Sequence, residues 1–311
     1  MKKPAIAIIT RTKDREIFLK RAIADILAQT YTDWVWVVVN DGGNTGSFNA
    51  VIDQFREPLQ GRVQVIQHSQ SEGMEASSND AIKNSDSKYV VIHDDDDTWQ
   101  AEFLEKTIHF LENKPSQEIR GVVSHSIKVI EEVNDSTITI SHREPFNDWL
   151  RVVSLYRMAV ENSFPPISFV FERAIFAQIG YYDAGLPVLG DWEFNLRFLQ
   201  KYEIAVLPEA LANYHHRLAV KNDAYSNTVL GGAAKHAYYD NLIRNRLLRV
   251  DVQSGKVGIG FLVNISSDIE GLRYNLRGLE KDLWVYMGFN KILRKSLRTL
   301  RMDRLIRLLK K

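Results

Sequence analysis

The sequence predicts an α/β fold with a mostly parallel sheet, followed by a helical, basic C-terminal extension. Short apolar runs alternate with helix-like segments over the first 113 residues, and this alternation is typical of parallel sheets whose faces are covered by helices. A concentration of basic residues near the end of the sequence indicates the C-terminal extension. Residues 290–311 carry nine Lys or Arg and one Asp, so this tail holds +8 and the rest of the chain −7 of a net charge of +1.

Continuous apolar runs predict strands of a parallel sheet, because such strands are buried on both faces. Runs of this kind occupy residues 5–9, 34–39 and 89–92, and residues 63–67 are predicted as a further strand. Between and after them, the sequence predicts helices over residues 16–29, 48–55, 72–83 and 99–113. The first of these helices has four apolar residues on one face, namely Leu19, Ile23, Ile26 and Leu27.

The second part of the chain is less regular. It predicts strands over residues 121–130, 137–141, 167–171, 204–207 and 212–215, and helices over residues 173–179 and 191–201. Beyond about residue 226 the pattern is helical and basic, with a break at residues 255–260. We therefore expect an α/β domain over residues 1–225 and a helical extension over residues 226–311.

The composition excludes several classes of protein. The chain has no cysteine, which excludes a disulfide scaffold, thiolate zinc sites, iron–sulfur clusters and a cysteine nucleophile. No apolar run reaches the 18 residues that indicate a transmembrane helix. The N-terminus has only about five apolar residues before Arg11, which is too few for a signal peptide. We therefore expect a cytoplasmic protein.

Polar loops follow the first four predicted strands, at residues 10–14, 40–44, 68–72 and 93–98. In open parallel sheets, ligands bind beyond the carboxyl ends of the strands. We therefore expect these four loops to converge on one cleft, and this functional inference depends on topology alone.

Four consecutive aspartates, at residues 94–97, follow the fourth predicted strand and are the strongest chemical signal. Adjacent carboxylates repel one another, and a divalent cation such as Mg²⁺ or Mn²⁺, which prefers oxygen ligands, would neutralise them. Such ions usually keep substrate phosphates in their coordination shell, so the cluster indicates a metal-bound nucleoside diphosphate. The alternative is a solvated acidic turn in which Asp97 caps a helix starting near Thr98.

Six segments resemble motifs of the family-2 glycosyltransferases in order and spacing. They are IAIITRTKDR, QTY followed by WVWVVVNDGG, EASSNDAI against the family's ARNxGI, YVVIHDDDDTW against its DxD motif, FERAIFAQIGYYD, and LGDWEFNLRFL against its GEDWDxxLRL. The resemblance covers roughly residues 4–220. It implies a GT-A fold and the inverting, metal-dependent transfer of a sugar from a nucleoside diphosphate, of the bacterial surface-polysaccharide type.

The resemblance also implies roles for the aspartates. Counting back from Trp99, Asp94 matches the first Asp of the DxD motif, which contacts the nucleoside side of the donor. Asp96 matches the last Asp, which binds Mn²⁺ or Mg²⁺ at the diphosphate. Asp95 takes the middle position beside the nucleotide sugar. Four identical residues leave a shift of the register by one place open.

Residues of the first two loops are implied to bind the nucleotide sugar. Asp41 matches the second Asp of the family's DDGS, which hydrogen-bonds the base, whereas Asn40 replaces the first. Thr12 matches a Thr that lines the base pocket. Arg11 replaces a Pro beside it, and its guanidinium suits phosphate or ribose. A surface position for Arg11 is an equal alternative.

Asp191 matches the family's general base, which removes the proton from the acceptor hydroxyl. Gly190 replaces the preceding Glu, so a paired-acid arrangement is expected to be lost, and Glu193 is the alternative base. Structurally, Asp191 would instead cap the helix that follows it.

GT-A enzymes often place a late His or Arg on the metal or diphosphate, and His215, His216 and Arg217 follow a predicted strand. We expect His215 to bind the metal, because adjacent histidines on a strand point to opposite faces and at most one reaches the site. An exposed loop histidine is the alternative for either one.

The C-terminal tail predicts two short amphipathic helices with a bend near residues 301–303. Basic amphipathic helices suit an anionic membrane surface. The alternatives are packing on the body of the protein or a dimer contact. Nucleic-acid binding is less favoured, because no nucleic-acid module accompanies the charge.

Together these features predict a peripheral enzyme at the inner face of the cell membrane. Its donor would most commonly be a UDP sugar, and its acceptor a lipid-linked or polysaccharide glycan. The oligomeric state stays open. A non-catalytic scaffold is one alternative, which Gly190 and Asn40 favour. A sugar-nucleotide pyrophosphorylase is another, but it needs a glycine-rich loop that TRTKDR does not provide.

Overall fold

The computed structural model describes residues 3–134, 137–217 and 232–299, with side chains as far as residue 279. Contacts divide the chain into two compact units, Met1–Leu242 and Ile243–Lys311. The predicted boundary between residues 225 and 226 lies outside the described residues.

Nine strands form one mixed sheet in the described part of the first unit. They are β1 (Ile6–Thr12), β2 (Trp34–Asp41), β3 (Val63–His68), β4 (Tyr89–Ile92), β5 (Thr98–Trp99), β6 (Ile119–Asn134), β7 (Thr137–Pro145), β8 (Phe169–Glu172) and β9 (Glu203–His216). Their order is β3-β2-β1-β4-β8-β6-β9-β5, and β7 pairs with β6. Strands β3, β2, β1 and β4 are parallel, whereas β8 is antiparallel to both β4 and β6.

Helices connect the parallel strands, as the alternation in the sequence predicts. Those of the first unit are α1 (Glu16–Leu27), α2 (Thr45–Gln54), α3 (Arg56–Leu59), α4 (Met74–Lys83), α5 (Phe103–Glu112), α6 (Leu155–Val160), α7 (Phe176–Ile179) and α8 (Gly190–Leu199). The residues of β2 and β4 are almost all buried, because the sheet is covered on both faces. Even the indole of Trp36 is fully buried, and it donates to Thr10 Oγ1 at 2.9 Å.

Three sequence predictions are wrong because of pairing between distant segments. The helix expected from residue 99 begins only at Phe103, since β5 pairs with β9 instead. Its N-cap is Glu102, so Asp97 does not cap it. The two strands expected over residues 204–207 and 212–215 are the single strand β9, which runs along β6.

Two further helices, α9 (Ala233–Gln253) and α10 (Ile259–Thr299), follow. The predicted break between them is confirmed, and Gly255 adopts a φ of +75° there. Residues 289–299 belong to the 41-residue helix α10, so the first short tail helix is wrong as a separate element. The predicted bend lies outside the described residues. Among the residues that the structure describes, no helix is long and apolar enough to cross a membrane.

Candidate active site

A cavity of about 610 Å³ lies where the parallel strands end. Residues from all four polar loops line it, which confirms the predicted convergence: Arg11, Thr12, Lys13, Asp14, Asp41, Ser71 and Asp94 to Asp97. The remaining wall includes Glu75, Asn162 and Asp191. Volumes of this size are typical of sites for small molecules and cofactors.

The first two aspartates of the acidic cluster are held by residues of the loop after β1. Asp94 Oδ1 lies 2.8 Å from a guanidinium nitrogen of Arg11. Asp95 is 2% exposed, and it accepts hydrogen bonds from Thr12 Oγ1 at 2.7 Å and from Arg15 at 2.8 Å. Burial raises the pKa of both carboxyls, against the lowering effect of these arginines.

The last two aspartates have different partners. Asp96 Oδ2 contacts Arg217 and lies 3.5 Å from Arg15. Burial would raise the pKa of Asp96, but these two cations outweigh it and hold the pKa well below its usual range. Asp97 accepts the backbone N–H of His215 at 2.7 Å, and burial beside Asp96 raises its pKa well above the usual range.

Arginines therefore compensate charge in the acidic cluster, so repulsion among its carboxylates does not by itself require a metal. Arg11, Arg15 and Arg217 reach the cluster from outside the motif, and their contacts with it join distant parts of the sequence, which no local pattern predicts. The cluster still fits Mg²⁺ or Mn²⁺, because it offers carboxylate oxygens to the cavity. Both ion pairs of Asp96 use Oδ2, and its low pKa keeps it ionised, as a metal ligand must be.

The predicted metal ligand His215 lies outside the cavity lining, and the structure does not support that role. Its Nδ1 is 2.6 Å from Glu131 Oε2, and its Nε2 is 3.0 Å from Thr98 Oγ1, so both ring nitrogens are engaged. Burial lowers the pKa of His215. His216 does not line the cavity either. Arg217, the next residue, is the one of the three whose side chain pairs with the acidic cluster.

Asp41 lies at the end of β2 and is saturated by four donors. They are a ring nitrogen of His68 at 3.0 Å, Ser71 Oγ at 2.7 Å, and the backbone N–H groups of Glu72 at 2.8 Å and Gly73 at 3.1 Å. Burial would raise the pKa of Asp41, but these hydrogen bonds lower it to about 2. The carboxylate thus fixes the loop before α4, and it lines the cavity at the same time.

Arg11 is not a surface arginine, because its side chain is only 12% exposed. One guanidinium nitrogen pairs with Asp94, and the other donates to Ser78 Oγ on α4 at 2.8 Å. Asn40 is buried, and its amide donates to the Gly43 carbonyl and accepts the Gly43 N–H, which shapes the turn after β2.

Asp191 lies in the first turn of α8, where the cavity meets the start of the helix. The N-cap is Leu189, with a left-handed φ of +64°, so the expectation that Asp191 caps this helix is wrong. A leucine in this conformation is strained, and such strain is often found at functional sites. Asn162 donates to Asp191 Oδ2 at 2.7 Å. Burial raises the pKa of Asp191, although the backbone N–H of Trp192 opposes the shift.

Glu75 and Gly190 are in close contact beside Asp191. A Cβ atom placed on Gly190 would lie 2.4 Å from the carboxyl carbon of Glu75. The glutamate of the family motif is absent at Gly190, and the carboxyl of Glu75, from α4, lies in the space beside it. Burial raises the pKa of Glu75 to about 7, with Arg11 opposing the shift and Asp191 adding to it. Glu193, the alternative base, pairs with Arg197 and does not line the cavity.

Comparisons with known proteins agree with this geometry. The family model described as glycosyl transferase family 2 matches residues 7–166. The putative teichuronic acid biosynthesis glycosyltransferase TuaG of Bacillus subtilis is 25% identical over 109 residues, which are 35% of this chain and 42% of TuaG. The uncharacterized glycosyltransferase YwdF of Bacillus subtilis is 23% identical over 239 residues, 76% of this chain and 82% of YwdF. The chain thus covers less than half of TuaG.

Solved structures share the fold at low identity. TarS 1–349 of S. aureus, in complex with UDP, has a TM-score of 0.51 and 18% identity, covering 68% of this chain and 60% of TarS 1–349. The mannosyltransferase PcManGT of Pyrobaculum calidifontis, in complex with GDP-Man and Mn²⁺, has a TM-score of 0.53 and 13% identity, covering 86% of this chain and 81% of PcManGT. Because the family model matches more than half of the sequence, the chain belongs to glycosyl transferase family 2, and its fold is the GT-A fold of these solved structures.

Proposed function

We propose that the chain transfers a sugar from a nucleoside diphosphate to an acceptor hydroxyl, with inversion at the anomeric carbon and with a divalent metal. One observation carries this proposal: the acidic loop of residues 94–97 and Asp191, nearly 100 positions apart in the sequence, line the same cavity. A carboxylate cluster for the donor and a single base for the acceptor are what a one-step displacement needs.

The donor end of the cavity is formed by the loops after β1, β2 and β4. Arg11 and Arg15 line it and supply positive charge that suits a diphosphate. Thr12 and Asp41 line it beside them. We favour UDP as the nucleotide, because TarS binds UDP in a related fold, while the GDP-Man of PcManGT is the alternative.

Asp96, with Asp94 beside it, would hold Mn²⁺ or Mg²⁺. When bound, the ion supplies positive charge to the diphosphate leaving group. PcManGT, which shares the fold, was solved with Mn²⁺. Asp94 keeps its second oxygen for the nucleotide sugar, and Asp95 is already committed to Thr12 and Arg15.

Asp191 would accept the proton of the acceptor hydroxyl as that oxygen attacks the anomeric carbon. Its raised pKa suits a general base, because a base with a pKa nearer to neutrality accepts a proton more readily. Asn162 donates to Asp191 Oδ2 and so orients this carboxylate at the wall of the cavity. The reaction needs no second catalytic carboxylate, in contrast to glycoside hydrolysis.

A donor screen tests the proposal. Hydrolysis of UDP, GDP and dTDP sugars is measured with Mn²⁺ or Mg²⁺ and again with a chelator, in the wild-type protein and in Asp191→Asn. We expect one donor class to turn over, the chelator to abolish turnover, and Asp191→Asn to lower transfer at least 100-fold. Asp53→Asn, on the exposed side of α2, is the matched control. Full transfer by Asp191→Asn would remove Asp191 as the base, and turnover in the chelator would remove the metal.

The acceptor and the location belong to the same proposal. TuaG is named for teichuronic acid biosynthesis, which supports a bacterial surface glycan as the acceptor class. The basic residues 291–311 would hold the enzyme at the inner membrane face, and cosedimentation with anionic vesicles, lost at high salt, tests this. The scaffold alternative is weakened, because Glu75 provides the acid missing at Gly190. The pyrophosphorylase alternative does not fit the family.

A further inference from the structure

Helix α10 carries an apolar seam that repeats every seven residues. Its members are separated alternately by three and four residues: Leu262, Ile265, Ile269, Leu272, Leu276 and Leu279. From Ile265 to Leu279 these side chains are between 38% and 66% exposed. In the sequence, leucine continues the spacing at positions 283, 293, 297 and 300, whereas tyrosine and asparagine stand at 286 and 290.

The narrowness of this seam is typical of a coiled coil. A helix that packs on a globular body has a wider apolar face with a period of 3.6 residues, whereas a coiled coil has two positions in seven. Between residues 265 and 283, Tyr274 is the one large apolar residue outside the seam. The same segment has four acids and three bases, so its charge does not suit an anionic membrane.

We propose that α10 pairs in parallel and in register with α10 of a second copy of this chain. Charge complementarity supports this occupant. Asp268 directly precedes the seam residue Ile269, and Arg273 directly follows the next seam residue, Leu272. In a parallel, in-register pair, these flanking positions face each other, so each Asp268 lies opposite the Arg273 of the other copy. Among the side chains that the structure describes, Arg273 has an exposed contact of 3.6 Å with Glu270, and an exposed pair of this kind is worth little.

Introduced cysteines test the seam without interference from native thiols, because the chain has no cysteine of its own. Leu272→Cys places a thiol in the seam, and Ser267→Cys places one on the outer face of the same helix as the matched control. On mild oxidation, Leu272→Cys is expected to form a disulfide-linked dimer at least tenfold faster than Ser267→Cys. Equal rates for the two variants would overturn the proposal.

Light scattering of the full chain tests the stoichiometry. The wild type is expected to have a mass of twice 35.7 kDa, and the double variant Ile269→Asp/Leu276→Asp the mass of one chain. A thermal unfolding transition is expected to show that the first unit of the variant is still folded. A monomeric wild type at micromolar concentration, or a mass of three chains, overturns the two-stranded pair. A variant that keeps its mass but loses binding to anionic vesicles would identify the seam as a lipid surface and overturn it as well.

A second, independent observation concerns the space beside Asp191. The family motif has a Glu where this chain has Gly190, and the carboxyl of Glu75 fills the space that a side chain at 190 would enter. Gly190 does not have a left-handed φ, so its backbone does not require glycine. The Glu75 carboxyl is therefore what excludes a side chain there.

We infer that Glu75 replaces the missing acid of the motif and binds the acceptor next to the hydroxyl that Asp191 deprotonates. This inference rests on the proposed function. Glu75 is 5% exposed, lines the cavity and contacts the residue that precedes Asp191. Its neighbour Arg11 provides a compensating charge. Glu75 is thus a specificity-determining residue for the acceptor rather than the base.

A reciprocal exchange tests this role. Transfer to the acceptor is measured in Glu75→Ala, in Gly190→Glu and in the double variant. Each single change is expected to lower kcat/KM for the acceptor roughly ten- to a hundredfold, the first by losing a hydrogen bond to the acceptor and the second by collision with Glu75. The double variant, which restores one carboxyl, is expected to recover at least tenfold over the worse single variant.

Two outcomes separate this inference from the proposed function. If the wild type turns over a donor but the double variant recovers nothing, Glu75 does not replace the acid at 190. If the wild type turns over no donor, the proposed function fails instead, and thermal unfolding still tests the contact. Gly190→Ala is then expected to lower the Tm when Glu75 is present, but not when it is combined with Glu75→Ala. Gly260→Ala, at another helix start with no atom within 4 Å of the new Cβ, is the control.

Discussion

The buried carboxyl of Glu75 predicts an unusual pH dependence of stability. Its pKa is raised from 4.5 to about 7, chiefly by burial. The folded protein therefore keeps a proton that the unfolded chain releases above pH 4.5, so stability falls as the pH rises from 4.5 through 7. A difference of about 2.5 pKa units corresponds to a loss of about 3 kcal/mol in the free energy of unfolding once the folded protein has also released the proton.

Glu75→Gln removes this titration while keeping the shape of the side chain. The free energy of unfolding is measured with urea at several pH values from 5 to 8, with tryptophan fluorescence as the signal. We expect the wild type to lose about 2 to 3 kcal/mol relative to Glu75→Gln over this range, so that the variant is the more stable protein at pH 8.

Removal of an exposed carboxyl is the matched control for Glu75→Gln. Glu57→Gln, on the exposed helix α3, also removes one carboxyl and is expected to leave the wild-type pH dependence unchanged. A difference between the wild type and Glu75→Gln below about 1 kcal/mol over this range would show that Glu75 is not held in a charge-excluding site. A difference of opposite sign would mean that Arg11 outweighs burial.

Three further changes have defined outcomes. Arg217→Met removes the buried cation that pairs with both Glu131 and Asp96 and is expected to cost about 3 to 5 kcal/mol in urea unfolding at pH 7. Asp41→Asn is expected to cost about 2 kcal/mol above pH 4, a loss that shrinks as the pH falls towards 2, since the pKa of Asp41 is lowered from 3.8 to about 2. Gly121→Ala places a Cβ 2.5 Å from the Phe169 ring and is expected to cost about 1 to 3 kcal/mol, measured as a lower urea midpoint.

The parallel half of the sheet could be predicted because burial on both faces leaves a local signature. The runs at residues 34–39 and 89–92 are apolar throughout, and they are the buried strands β2 and β4. Strand β5 could not be predicted in this way. It has two residues, and it exists only because β9 pairs with it from more than 100 positions away.

The residues of the candidate site also fall into two groups: those that a local motif predicts and those that only contacts between distant parts of the chain bring together. Asp41, Asp191 and the four adjacent aspartates lie in recognisable motifs, and all of them line the cavity. Arg15, Asn162 and Arg217 were missed because their contacts with these motifs join distant parts of the chain. One signal was available for Arg217. It follows two histidines at the end of a strand, and a cation next to a predicted acidic cleft is a natural partner for it.

Two departures from the family motifs are compensated in space rather than in sequence. Aligned on Asn79, the ARNxGI motif places its Arg at Ser78, while Arg11 stands where the family has Pro. Arg11 donates to Ser78 Oγ at 2.8 Å, so a guanidinium from β1 lies beside the position on α4 where the motif has its arginine. Glu75 likewise fills the space of a side chain at Gly190. Because a cleft fixes where charge is needed but not which strand or helix supplies it, a substitution in a motif indicates lost function only after the neighbouring elements have been examined.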